Sequence, residues 1–264
     1  MLKRLVLIAA LMITAVRADA LEYTDVYYNP TESGWGVFLV QSDTTQFLAL
    51  FIYGTDNKPT WYTATLTQNP AGNYTGSLIA TTGTYFGSQW NPAQLTVASV
   101  GTVSFAPTDA YHATVTYTLT GGPTVTKTVQ RQTLTQYQLA GNYSGAMSGT
   151  QSGCADPSNN DAHLRAAYNL TVAQTADTAA TLTFTFTDIE SAGMVCKFQG
   201  PLTHFGRLYK MSGAQYTCTQ GGGSDTGTVT IDSLHPTGQG IEGKVTGTIV
   251  GCAMSLSFSA VLNN

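Results

Sequence analysis

The chain has 264 residues, a formal net charge of −4, and charged side chains at only 10% of positions against 42% hydrophobic ones. Ample apolar content with few charges describes a packed chain rather than a disordered one. A weak acidic balance argues against nucleic acid or an anionic membrane as partner.

Residues 1–20 read as a signal peptide. Lys3 and Arg4 give a positive start, residues 5–16 an apolar run too short to span a bilayer, and Ala18-Asp19-Ala20 a small-x-small site with cleavage expected after Ala20. Nothing longer or more apolar follows, so no membrane span is expected after cleavage. The chain is expected to be secreted or periplasmic. Without Lys3, Arg4, Arg17 and Asp19 it keeps 8 basic and 14 acidic residues, a net charge of −6.

What remains divides by composition. Trp35, Trp61 and Trp90 all precede residue 100, and Cys154, Cys196, Cys218 and Cys252 all follow residue 150. A polar stretch at 132–140 separates two strand-rich blocks, which sets an aromatic-rich domain at 21–137 and a disulfide-bearing domain at 138–264. Within each the hydrophobic period is two. Val115, Tyr117 and Leu119 alternate with threonines, as do Leu182, Phe184 and Phe186, and Met254, Leu256 and Phe258 alternate with serines. Two runs, 37–40 and 47–53, are apolar throughout and predict strands covered on both faces or lying at a domain interface. Turn residues at 42–43, 55–57, 69–72, 121–123 and 176–177 join these runs into antiparallel meanders. The fold expected is all-β, with two meander domains, each a small barrel or a sandwich. One turn of helix is expected over 161–167. The hexapeptide Ala71-Gly72-Asn73-Tyr74-Thr75-Gly76 is echoed at 140–145, too short a match to establish a repeat.

Asn29-Pro30-Thr31-Glu32-Ser33-Gly34-Trp35-Gly36, the 47–53 strand and Lys58-Pro59-Thr60-Trp61-Tyr62 carry a resemblance over residues 22–132. This part resembles an uncharacterised exported β module that recurs in proteobacterial proteins. The resemblance implies export and a β fold, and brings no activity with it. Physically, Gly34 and Gly36 flank Trp35 as they would where a bulky ring folds over backbone at a strand start. Trp35 is then either a packed corner or, with Glu32 beside it, the floor and rim of a ligand site. Fourteen of the 27 aromatic residues lie between Tyr23 and Trp90. A platform of Trp35, Trp61, Tyr62 and Trp90 with polar edges suits a glycan, a peptide or another surface polymer, and a small barrel filled with rings explains the same count.

Catalytic signatures are sparse. His112, His163, His204 and His235 are scattered, with His204 placed at a hairpin tip, and none has a second histidine at metal spacing. No nucleophile elbow or phosphate loop occurs, and Gly221-Gly222-Gly223 reads as a turn. Asp188 and Glu190 could act as paired carboxylates, but a solvated loop explains them. No catalytic residue, metal or cofactor is therefore assigned. The expectation is a non-enzymatic binding protein, with an exported hydrolase of cell-surface polymers and a purely structural surface module as the alternatives. Four cysteines without a C-x-x-C pair, in an oxidising compartment, predict two disulfides. If the second domain closes on itself, its first and last strands bring Cys154 to Cys252, and Cys196 joins Cys218 across a hairpin through 203–206, slightly out of register.

Overall fold

The computed structural model describes residues 21–188 and 191–263. The expected signal peptide and Glu190 lie outside them. Two closed antiparallel barrels follow one another along the chain.

The first barrel is an up-and-down meander of β1 (Asp25–Asn29), β2 (Glu32–Ser42), β3 (Thr45–Tyr53), β4 (Pro59–Gln68), β5 (Tyr74–Thr82), β6 (Thr96–Pro107), β7 (His112–Leu119) and β8 (Thr124–Arg131). Alternation decides what fills it. Val37, Leu39, Leu48, Leu50, Leu66 and Phe105 point inward and are buried. The runs at 37–40 and 47–53 are not covered on both faces. Val37, Leu39, Leu48 and Leu50 are buried, whereas Phe38, Val40, Phe47, Phe51 and Tyr53 are about half exposed. A single closed sheet has no second layer outside it, so the outward residues of an apolar run stay in solvent. The seam that closes the barrel is short: Tyr27 pairs with Arg131 and Tyr28 with Gln130.

The second barrel contains β9 (Gly141–Ser152), β10 (Asp161–Thr175), β11 (Ala179–Phe186), β12 (Val195–Pro201), β14 (Leu208–Gln220), β15 (Gly223–Thr237), β16 (Gly240–Ile249) and β17 (Cys252–Leu262), with the short β13 (Thr203–Phe205) hydrogen-bonded to β14 alone. Residues 161–167 begin β10 rather than turning as a helix. Strand pairing with β9 runs from Asp161 to Val172, which gives the segment a ladder that one isolated helical turn lacks. The seam here is long, ten consecutive pairs from Ala253↔Ser152 to Leu262↔Tyr143.

Cys154 is bonded to Cys252 and Cys196 to Cys218. The first bridge lies at the end of the β9–β17 seam, where closure of the meander puts it. The second joins directly opposed residues of β12 and β14, so the expected misregister is absent. The turn is Gly206-Arg207, between Phe205 and Leu208, two residues beyond the predicted centre. Gly206 has φ +61°, and a Cβ there would stand 2.2 Å from Asp25 Oδ2. Only glycine suits that turn against that neighbour. His204 accordingly lies within β13 and not at the tip.

One device recurs at the start of both barrels. Tyr27 donates its hydroxyl hydrogen to the Tyr23 carbonyl at 2.9 Å, and Tyr143 to the Leu139 carbonyl at 2.8 Å. Each is a buried tyrosine on a first strand, bonded four residues upstream. The hexapeptide echo, by contrast, feeds β5 in one barrel and β9 in the other, which are not equivalent positions.

The barrels meet at the β1/β7/β8 end of the first. The Arg131 guanidinium donates to Asp25 Oδ2 (3.0 Å) and to the carbonyls of Ala110 (2.8 Å) and Thr24 (3.3 Å), with the Arg131 and Asp25 side chains 1% and 6% exposed. Arg207 donates to the Thr24 carbonyl at 2.8 Å. The Tyr111 ring packs on Phe205 at 4.8 Å, and its hydroxyl bonds Asp232 while accepting from the Ser233 amide at 2.8 Å.

Candidate functional site

The opposite end of the first barrel is open. A cavity of about 200 Å³ lies there, walled by Trp35, Leu50, Ile52, Val115, Tyr117 and Val125. Glu32 and Lys127 line it too, and Lys127 Nζ donates to Glu32 Oε2 at 2.7 Å across the gap between β2 and β8. Strand geometry explains the composition. The inward positions of β3, β7 and β8 continue the core stripe to the rim, with Lys127 on that stripe between Val125 and Val129 and Glu32 at the start of β2. The hydrogen bond from Lys127 holds the Glu32 carboxyl below the usual carboxylate range, and the Trp35 side chain contributes in the same direction.

Gly34, at φ +96°, leaves room for Tyr53, whose hydroxyl would stand 2.8 Å from an added Cβ. The glycine thus lets Tyr53 close one side of the mouth beside Trp35. Trp35 itself is half-buried and packs against the core. Corner and cavity wall are therefore the same residue, and the two readings of it are not exclusive.

The five residues singled out in sequence do not form one platform. Glu32 and Trp35 line the cavity. Tyr62 points inward on β4 opposite Leu50, half-buried against the core. After burial, the charge of the Tyr62 phenolate is the next influence that raises the Tyr117 pKa. Trp61, its chain neighbour, points outward and pairs with Phe51, which packs edge-on against Phe38 at 5.3 Å. Successive strand residues face opposite sides, so Trp61 and Tyr62 cannot serve one surface. Trp90 belongs to the 83–95 loop between β5 and β6, hereafter the tongue, above the same open end.

Sequence reasoning missed three features. Lys127 was unflagged because its partner lies 95 positions away. A signal for the second was present: residues 59–108 contain no charged side chain, and they form β4, β5, the tongue and β6. The third is a buried network behind the domain joint. His204 Nδ1 lies 2.9 Å from Asp177 Oδ2, Tyr209 donates to Asp177 Oδ1 at 2.8 Å, and the His204 and Tyr209 rings stack at 4.1 Å. Burial, then the bond to Asp177, pushes the Tyr209 phenol up to about 12, so it stays a donor. His204 Nε2 is buried without a hydrogen-bond partner, no serine or cysteine included.

A second, larger cleft of about 950 Å³ runs between the first barrel's entry segment and the outer face of β9, β10, β16 and β17. Arg165, Ser148, Ser257 and Lys244 stand directly opposite one another across its floor. Asp188 lines this cleft and accepts a hydrogen bond from Ser191 at 2.6 Å. Among the described residues no group of three or more His, Cys, Asp or Glu converges as a metal site, and no helix is long and apolar enough to cross a membrane.

No family model matches this chain, and no curated protein matches it.

Proposed function

We propose that this chain is an exported, non-enzymatic binding protein that holds one ring-sized segment of a glycan or peptide in the open end of its first barrel. The observation that carries the reading is the Trp35 cavity, an apolar hollow with one ion pair at its rim. At about 200 Å³ it is smaller than the roughly 300–1,000 Å³ of a site that encloses a whole drug-sized ligand. It therefore suits a single sugar ring or side chain of a longer polymer. Trp35 offers an aromatic surface, and Glu32 and Lys127 offer an acceptor and a donor to hydroxyls or a peptide edge. Two disulfides accord with an oxidising compartment outside the cytoplasm.

Titration with glycan and peptide panels, followed by intrinsic fluorescence and calorimetry, tests the proposal. At least one class should give a saturable response. Glu32→Gln should weaken it by about tenfold, the worth of one charge-assisted hydrogen bond, without moving the melting midpoint. Trp35→Phe keeps an apolar ring in the wall and should weaken it as well. Silence across both panels, or a response indifferent to both variants, sinks the cavity as the site and leaves a structural module. Turnover of a panel member would establish the hydrolase instead.

A further inference from the structure

We propose that the tongue inserts its aromatic tip into the interfacial layer of a lipid bilayer. This goes beyond the cavity reading and stands on different residues. Tyr85 is 80% exposed, Phe86 fully so and Trp90 59%, and Leu95 and Val97 at its base are also open to solvent. A loop presenting that much apolar surface to water needs a reason.

Three observations select a bilayer. First, the order of the rings fits an interface. Phe86, which has no polar handle, is the most exposed, with Tyr85 and Trp90 at its shoulders, and amphipathic rings are the ones that settle at headgroup level. Leu95 and Val97 continue the apolar surface at the base, with Ser88, Gln89 and Asn91 bordering the rings as they would at a hydrated headgroup layer.

Second, the tongue is braced by its own hydrogen bonds at its neck and base. Thr84 Oγ1 accepts from the Asn91 amide at 2.9 Å and donates to the Asn91 carbonyl at 3.0 Å. The Ser88 amide and hydroxyl both bond the Tyr85 carbonyl, and Asn91 Oδ1 caps the Ala93 amide. Among the described residues the amides of Tyr85, Phe86, Gly87, Gln89 and Trp90 take no protein partner, so they keep water or headgroup oxygens and entry stops in the interfacial layer, while the Thr84, Ser88 and Asn91 bonds brace the loop beneath them. The same bonds fix the loop, so little order is lost on insertion.

Third, the chain is acidic but the tongue is not. Residues 59–108 carry no charge, so entry brings no carboxylate toward the headgroups and no cation that would select an anionic lipid. The interior of the barrel is a packed apolar core, unlike the polar lumen of a membrane-spanning barrel.

The test uses the exported protein, its mass confirmed, with vesicles of dioleoyl-phosphatidylcholine. Wild type should co-float with them, undiminished by salt and not strengthened by added phosphatidylglycerol. Phe86→Asp should weaken partition by roughly tenfold or more with the melting midpoint unchanged, since Phe86 is fully exposed. Brominated lipid should quench tryptophan emission in wild type and less in Trp90→Phe. Failure of wild type to bind, equal binding by Phe86→Asp, or binding without quenching overturns the proposal. So does retention on insoluble cellulose or chitin, abolished by Phe86→Asp, with vesicles ignored; that result would assign the tongue to a glycan.

Discussion

Arg131 shows how a residue can be unremarkable in sequence and central in space. It ends β8, pairs with Tyr27 across the seam of the first barrel, and lies over the Tyr27 ring at 5.6 Å. Its charge is answered by Asp25, whose Oδ2 also accepts from the Arg207 amide of the second barrel at 3.3 Å. Asp25→Ala should leave a buried guanidinium with carbonyl partners only, at a cost of about 3–5 kcal/mol, read as a shifted urea midpoint. A change below 1 kcal/mol would mean that water reaches Arg131. Nothing in the local sequence announces this pair, because the partners stand 106 positions apart. Glu32 and Trp35 were legible because a turn motif packs them close in sequence. Lys127, which completes the same site, was not.

At the scale of strands, alternation was legible nearly everywhere, since a period of two survives without knowledge of partners. It misled at 47–53, where outward Phe47, Phe51 and Tyr53 break the expected polarity. An apolar outer face is indistinguishable in sequence from a covered one. The disulfide pairing was legible because closure of a meander fixes which strand ends meet, and only the turn at Gly206 was misplaced. Strand length also sets which seam yields. β1 and β8 share two paired positions, whereas β9 and β17 share ten and are stapled at one end by Cys154–Cys252. Amide hydrogen exchange should therefore show β1 and β8 opening well before β9 and β17. Equal protection at the two seams would mean that the joint around Arg131 locks the first as firmly as the bridge locks the second.

The whole molecule is polarised. One end of the first barrel is committed to the second barrel through Asp25, Tyr111 and Arg131, and the other presents the Trp35 cavity and the tongue. The wall from β3 to β6, apart from the 54–58 turn, carries no charge. That wall has a consequence for how the protein meets proteases. Between Lys58 and Lys127 there is no lysine or arginine, so a protease that requires a basic residue finds nothing to cut on the tongue. Tyr85, Phe86 and Trp90 are ideal for enzymes that cleave after aromatic residues, and loop tips are where such cuts fall. Limited digestion with trypsin should leave 59–126 whole, while chymotrypsin should nick first within 85–90. Lipid vesicles should shield that cut if the tongue is embedded in them. An aromatic-cleaving protease would then have its first foothold on this protein only while the tongue is free of lipid.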